Sequence, residues 1–232
     1  LAVLVGVERQ LVLGAAVLLA AAVFAWWWLP LERVQPTRVG ENFARFVSGF
    51  VPESWAAVVA LPWASLLEAL LETVQIAIAG TAGGVLLSLP LALLASSQTA
   101  APFVRWPVRV LLNVWRTVPS IVWALLMVAL LPLGAVSGAA ALVAYSTGYL
   151  TKFFYEALED ADAKPAAALR QLGASRLQTI RRATLPAARP ALLGSCLFVF
   201  EYNVRAASIL GIVGAGGIGQ DLYYYVTWRQ FP

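Results

Sequence analysis

The stretch PAAALRQLGASRLQTIRRATLP, residues 165–186, lies between two apolar runs, one from about Gly138 to Phe154 and one from about Ala191 to Ile212. Pro165 to Leu172 reads as a short helix stopped by Gly173, the residue type that enters a left-handed C-terminal position without a Cβ penalty. Ser175 opens a second helix, and Gln178 completes a capping box with it. Leu177, Ile180 and Thr184 recur at helical spacing, Arg176, Arg181 and Arg182 face elsewhere, and Pro186 ends the helix. The result is a polar elbow between two runs long enough to cross a bilayer. Two readings stand on this pattern alone: an elbow that carries force into the membrane, or a connector resting its arginines on lipid headgroups.

Working outward, the chain has 232 residues, 61% hydrophobic and 12% charged, whereas a soluble domain carries about a quarter charged residues. So few polar groups cannot cover that much apolar surface in water. The expectation is an all-α, multi-span transmembrane bundle forming a single domain over 1–232. Spans are expected at about 11–29, 70–95, 118–133, 138–154 and 191–212, with the elbow in a loop over 156–189. Leu11 to Leu29 closes on Trp26, Trp27 and Trp28, a plausible interfacial belt. Leu31 to Leu67 mixes prolines, charges and tryptophans and reads as a loop with interfacial segments. Gly80, Gly83 and Gly84 give the second span a small surface for close helix contact. Ser96 to Trp115 reads as a loop and a helix lying along the interface, and Pro119 suits the first turn of span three. The sequence starts without methionine and closes soon after a glycine-rich stretch, so both ends are expected to be incomplete, with a sixth span beyond Pro232.

The formal charge is +4 and the pI about 9.5, yet the basic residues are grouped between apolar runs, which argues against nucleic acid as a partner. With the N-terminus inside, the inner segments hold Arg9, Arg105, Arg109, Arg116, Lys152, Lys164, Arg170, Arg176, Arg181, Arg182 and Arg189. The outer loop holds Arg33, Arg38 and Arg45. That imbalance predicts a cytoplasmic N-terminus and a cytoplasmic elbow. Without histidine there is no His-ligated metal or His-based catalysis, and Cys196, in an apolar run, reads as a small buried hydrophobe. No catalytic residue and no metal ligand set is expected. No Walker motif is present either, so any ATP is bound elsewhere.

The run Ala167-Ala168-Leu169-Arg170-Gln171-Leu172-Gly173-Ala174-Ser175, with Leu185-Pro186 following, resembles the coupling loop of ABC importer permeases. Ala167 departs from the family, which usually has glutamate there. The runs Arg116 to Leu125 and Glu201 to Gly211 are similar to permeases of phosphonate importers. Gly148, Lys152 and Glu156 fit the same pattern, although Tyr145 stands where a histidine is expected. The resemblance covers roughly Glu72 to Tyr223. It implies the type I importer permease fold, located in the bacterial inner membrane and moving phosphonate or a related phosphorus oxyanion. It implies four partners: a cytoplasmic ATPase dimer that docks on the loop, a second permease copy or homologue, an extracytoplasmic binding protein, and membrane lipid. No cofactor is expected on this chain, with ATP and Mg on the ATPase subunits. A permease for methionine or another amino acid is the nearer alternative. A membrane enzyme acting on lipid is the more distant one, and the clustered His, Asp or Glu it would need are missing.

For the substrate pathway the candidates are Glu201, Asn203, Arg205, Gly214, Gly216, Gly217 and Gly219. Glu201 is expected near the bilayer midplane with Arg205 four residues later, as a pathway pair or as a self-neutralising pair that permits insertion. Gly214, Gly216 and Gly219 also satisfy a dinucleotide-type GxGxxG, but they follow a membrane span and not a strand. They read as irregular backbone at the external mouth, or as a plain turn. Arg116 and Pro119 read as an interfacial anchor or gate.

Overall fold

A computed structural model describes residues 2–28, 36–48, 59 and 61–228. Arg33 of the expected outer loop lies outside the described residues. Among those described there is no strand, and every element is helical. The chain divides into two compact units, Leu1–Ala60 and Leu61–Pro232.

The first unit holds helices α1 (Ala2–Trp28) and α2 (Pro36–Ser48). The apolar part of α1 is Val12–Trp28, and its three terminal tryptophans are exposed. Along α2, Val39, Phe43 and Val47 repeat every four residues on one exposed face, the pattern of a helix lying at an interface.

The second unit is built on α3 (Trp63–Ala95) and α6 (Ala135–Asp160). Helix α3 begins at Trp63, before the expected start of the span at about 70, with Pro62 at its N-cap. Its small residues let α6 approach closely. A Cβ at Gly84 would sit 2.6 Å from Ser146 Cβ, and one at Gly80 would collide with Leu142. The polar groups in this seam turn inward: Ser88 Oγ donates to Gly84 O at 2.6 Å and to Thr147 O at 3.1 Å. Thr81, Thr147 and Thr151 return their hydroxyls to the carbonyl four residues back. In lipid no water could replace these partners.

Between the two run α4 (Pro102–Arg116) and α5 (Ser120–Leu130), bent by 87°. The third span, expected over 118–133, is corrected: α5 has 11 residues, about 16 Å of helix against a hydrocarbon core of about 30 Å. Pro119 stands one position before the helix, at the N-cap, and Leu131 turns extended before Pro132. Only together with α4 does α5 reach the length and composition of a broken span or a re-entrant loop.

The elbow follows in α7 (Ala163–Gln171) and α8 (Arg176–Thr179), then a π-helical segment (Ile180–Thr184) and α9 (Leu185–Leu210). A 3-10 turn, Gly211–Val213, and α10 (Ile218–Trp228) complete the unit. By length and composition α3 and the run Arg176–Val213 can each cross a membrane. Helix α6 is long enough with 26 residues; Thr147 and Thr151 turn their hydroxyls back onto its own carbonyls, and Ser146 Oγ donates to Asn203 of α9. Ile76, Leu142, Ala206 and Leu210 form one core cluster, and Leu112, Leu150, Phe154 and Val199 another.

Candidate functional site

The elbow is over-determined by local hydrogen bonds. Asp162 caps α7 by accepting from Lys164 N at 3.0 Å. At the other end Gly173 has φ 80°. Its N–H donates to Arg170 O at 3.0 Å, and Ala174 N donates to Leu169 O at 3.0 Å. That is the Schellman pairing, which closes a helix on a left-handed residue. Ser175 then caps α8 reciprocally: Gln178 N donates to Ser175 Oγ at 3.4 Å, and Ser175 N donates to Gln178 Oε1 at 2.8 Å. Ala167 and Ala168 are exposed beside buried Ala166. Leu172 and Leu177 stand at the tip, 83% and 64% exposed.

Two expectations about this loop are corrected. The inward stripe is Thr179, Ala183, Thr184 and Ala188, with Leu177 pointing out. Pro186 does not end the second helix, because the helix runs on from Arg176 to Val213. Pro186 falls in the first turn of α9, directly after the π segment, in which Leu185 N donates to Ile180 O. The wider turn supplies the room a proline ring needs against the preceding carbonyls. Leu185 and Pro186 line an apolar groove of about 410 Å³ with Val85, Leu89 and Phe154.

The elbow sits beside a corner the sequence reading did not find. Arg109 on α4 donates through Nε to Ala95 O at 2.8 Å and through a terminal nitrogen to Glu159 Oε1 at 2.6 Å. Its guanidinium also lies 4.3 Å from the centre of the Tyr155 ring. Ser97 N donates to the same Glu159 oxygen. Burial opposes the charged carboxylate, but the Ser97 hydrogen bond and the Arg109 guanidinium outweigh it and hold Glu159 below the usual carboxylate range. A depressed folded-state value means the contribution is complete above the unfolded value of about 4.3 and disappears as pH falls through the folded one. Glu159→Gln is therefore expected to lower stability by about 1.5–3 kcal/mol at neutral pH. The gap to wild type in detergent melting curves should close on acidification, and a gap that stays constant with pH would contradict this assignment.

The pathway candidates separate. Glu201 and Arg205 form their pair at 2.9 Å on the outer face of α9, with side chains 58% and 67% exposed. Asn203, on the opposite side, lies in the core. It is fully buried, Nδ2 donates to Thr81 Oγ1 at 2.9 Å, and Ser146 Oγ donates to Oδ1 at 3.2 Å. It thereby ties α3, α6 and α9 together. The glycine stretch is covered by protein. Gly214, Gly216 and Gly217 have φ of 86°, 78° and 71°. A Cβ on Gly216 would lie 2.7 Å from Ala135 N and 2.8 Å from Glu72 Oε1, and one on Gly217 2.6 Å from Thr73 Oγ1. Gly134 N donates to Gly214 O, Ile218 N donates to Thr73 Oγ1, and a Cβ on Gly219 would collide with Ser208 O. The stretch is irregular backbone packed as a plug against α3 and α6. Arg116 donates to Asn113 Oδ1 at 2.6 Å, and its stem packs beside Gly148.

A helical bundle with this elbow can pass motion from a polar surface into membrane-crossing helices. Residues 84–232 match the profile of the "Binding-protein-dependent transport system inner membrane component". The chain belongs to that family. This inner-membrane component is 42% identical over 167 residues to a phosphate-import permease protein of Mycolicibacterium smegmatis, a match covering 72% of this chain and 31% of that one. It is 40% identical over 168 residues to a phosphite transport system permease protein of Stutzerimonas stutzeri, covering 72% of this chain and 61% of the other. The chain thus spans less than two thirds of the length of either relative. Its fold resembles a methionine ABC transporter solved in inward-facing conformations, with TM-score 0.63 and 24% identity over 69% of this chain and 79% of that one.

Proposed function

We propose that this inner-membrane component is one of two permease subunits of an ATP-driven importer, and that it moves a phosphorus oxyanion such as phosphite, phosphate or a phosphonate. The observation that carries this reading is the identity of 40% and more to permeases named for phosphate and phosphite, each matched over 72% of the chain. The likeness to the methionine transporter, at 24% identity, concerns the fold. In this reading the N-terminus and the elbow face the cytoplasm. A dimeric ATPase docks on Ala167 to Ser175 and the exposed tip leucines, and an external binding protein delivers the anion. ATP and Mg belong to the ATPase subunits, and this chain binds no cofactor of its own. Arg205, held by Glu201, offers the anion a planar set of donors at membrane depth.

The test is uptake of labelled phosphite, phosphate and methylphosphonate by cells carrying the complete transporter and lacking other routes for these anions. ATP-dependent uptake of at least one is expected. Uptake of methionine with none of the three would overturn the substrate assignment.

A further inference from the structure

One face of the second unit is unlike the rest of its surface. On α3 the large exposed side chains are mostly apolar, among them Leu70, Leu71, Val74, Ile78, Leu86 and Leu87, with Glu68 and Gln75 the polar ones, a surface suited to lipid tails. On α6, residues 145, 149, 152, 153 and 156 share a face by helical spacing, and on α9 so do 198, 201, 202 and 205. These positions carry rings with polar tips and two ion pairs. The Tyr145 ring stacks on Tyr202 at 4.9 Å and 17° and meets Tyr149 at 4.7 Å. Phe153 continues the row, 6.5 Å from Tyr149 and 6.0 Å from Phe198. Ser120 Oγ at the start of α5 lies 3.4 Å from the Tyr202 hydroxyl. Along α6, Lys152 pairs with Glu156 at 3.4 Å. Along α9, which is exposed here, Glu201 pairs with Arg205. None of these tyrosines is buried.

Half-exposed ion pairs and phenol hydroxyls at membrane depth are stable only against water or protein, and ionisable groups in spans usually mark a route for solutes. We propose that this aromatic ladder is the wall of the substrate path. Tyr145 and Tyr202, with Ser120, present hydroxyls to the oxygens of a tetrahedral phosphorus oxyanion, beside the guanidinium of Arg205. This rests on the reading given under Proposed function. The chemistry suits the cargo: hydroxyl donors hold an anion through several modest hydrogen bonds. Stacked rings fix where those hydroxyls point with little rotamer freedom to lose. A wall of lysines and arginines alone would bind the anion too firmly to release it.

The test uses cells carrying the complete transporter in a Cys196→Ala background and has two arms. In the first, Tyr149→Cys and Phe198→Cys are exposed during transport to a water-soluble methanethiosulfonate, with Ile78→Cys on α3 as the lipid-facing control. Modification of the first two and not of the control is expected. Equal inertness of all three would overturn the wall, whatever the cargo. In the second, Tyr145→Phe and Tyr202→Phe keep the rings and remove the hydroxyls, and uptake of phosphite, phosphate and methylphosphonate is compared at equal protein level. A rise in apparent KM of about fivefold, unequal among the three anions, is expected while maximal uptake changes less. Unchanged KM for all three in both variants would overturn the hydroxyl contacts. Should wild type carry none of the three anions, the cargo assignment fails, and the first arm still decides whether the ladder faces water.

Discussion

Gly84→Val is expected to leave almost no folded protein. Glycine at this position lets the backbones of α3 and α6 touch, and even a bare Cβ would stand 2.6 Å from Ser146 Cβ and 3.3 Å from Leu150 Cδ1. Valine adds two further carbons in the same seam, and the nearer neighbour, Ser146 Cβ, is fixed directly to the backbone of α6. Overpacking of this kind costs about 1–3 kcal/mol where a core can adjust, and here the adjustment must also pull Ser88 away from Thr147 O. Gly194→Val is the matched control, because its Cβ would meet nothing within 4 Å. Size-exclusion recovery after detergent extraction reads the difference. The control should be recovered like wild type and Gly84→Val should be lost. Equal recovery and equal melting of the two would refute the close contact.

Gly173 gives the second large effect, this time on activity. Its φ of 80° is left-handed, and a side chain there would meet no atom within 4 Å. Substitution therefore acts through the backbone alone, by about 1–2 kcal/mol for a β-branched residue and less for asparagine. Gly173→Val is expected to relax the Schellman turn and swing Ser175 and the tip leucines away from their positions, so that uptake falls about tenfold or more, equivalent to ~1.4 kcal/mol. Gly173→Asn should keep most of the uptake. Both variants should fold, since the turn lies outside the core. Wild-type uptake by Gly173→Val would show that the turn does not transmit the work of ATP hydrolysis.

Features encoded within a few residues were legible in the sequence. Gly173 and the Ser175–Gln178 box signal their geometry by residue type and spacing, and the structure forms both. The small residues of α3 announced a close helix neighbour without saying which helix. Rules of equal locality misled where distant packing intervened. Pro186 reads as a terminator, but a π turn one residue upstream accommodates it. Leu177 fits an inward stripe by hydrophobicity, yet the inward face is taken by Thr179 and Ala183, whose small side chains let the elbow sit close. Asn203 was grouped with Glu201 and Arg205 by proximity along the chain. A helix turns by about 100° per residue, which puts it on another face with partners 57 and 122 residues away. Arg109 and Glu159 lie 50 residues apart, and no local pattern could pair them. The ladder was equally hidden, because single tyrosines on two helices become a row only when the helices pack.

Because α8, the π segment and α9 run together, Arg176 to Val213 is one rod of 38 residues, about 57 Å long. In the proposed orientation, with its handle outside the membrane, such a rod would act as a lever. Tilting it by 5° about its elbow end would carry the far end, where the plug begins, through about 5 Å, enough to lift Gly217 from beside Thr73 and Gly216 from beside Ala135. The π turn near the handle is then the compliant point of the lever, and small angular input at the arginine-rich end becomes an ångström-scale stroke at the opposite surface.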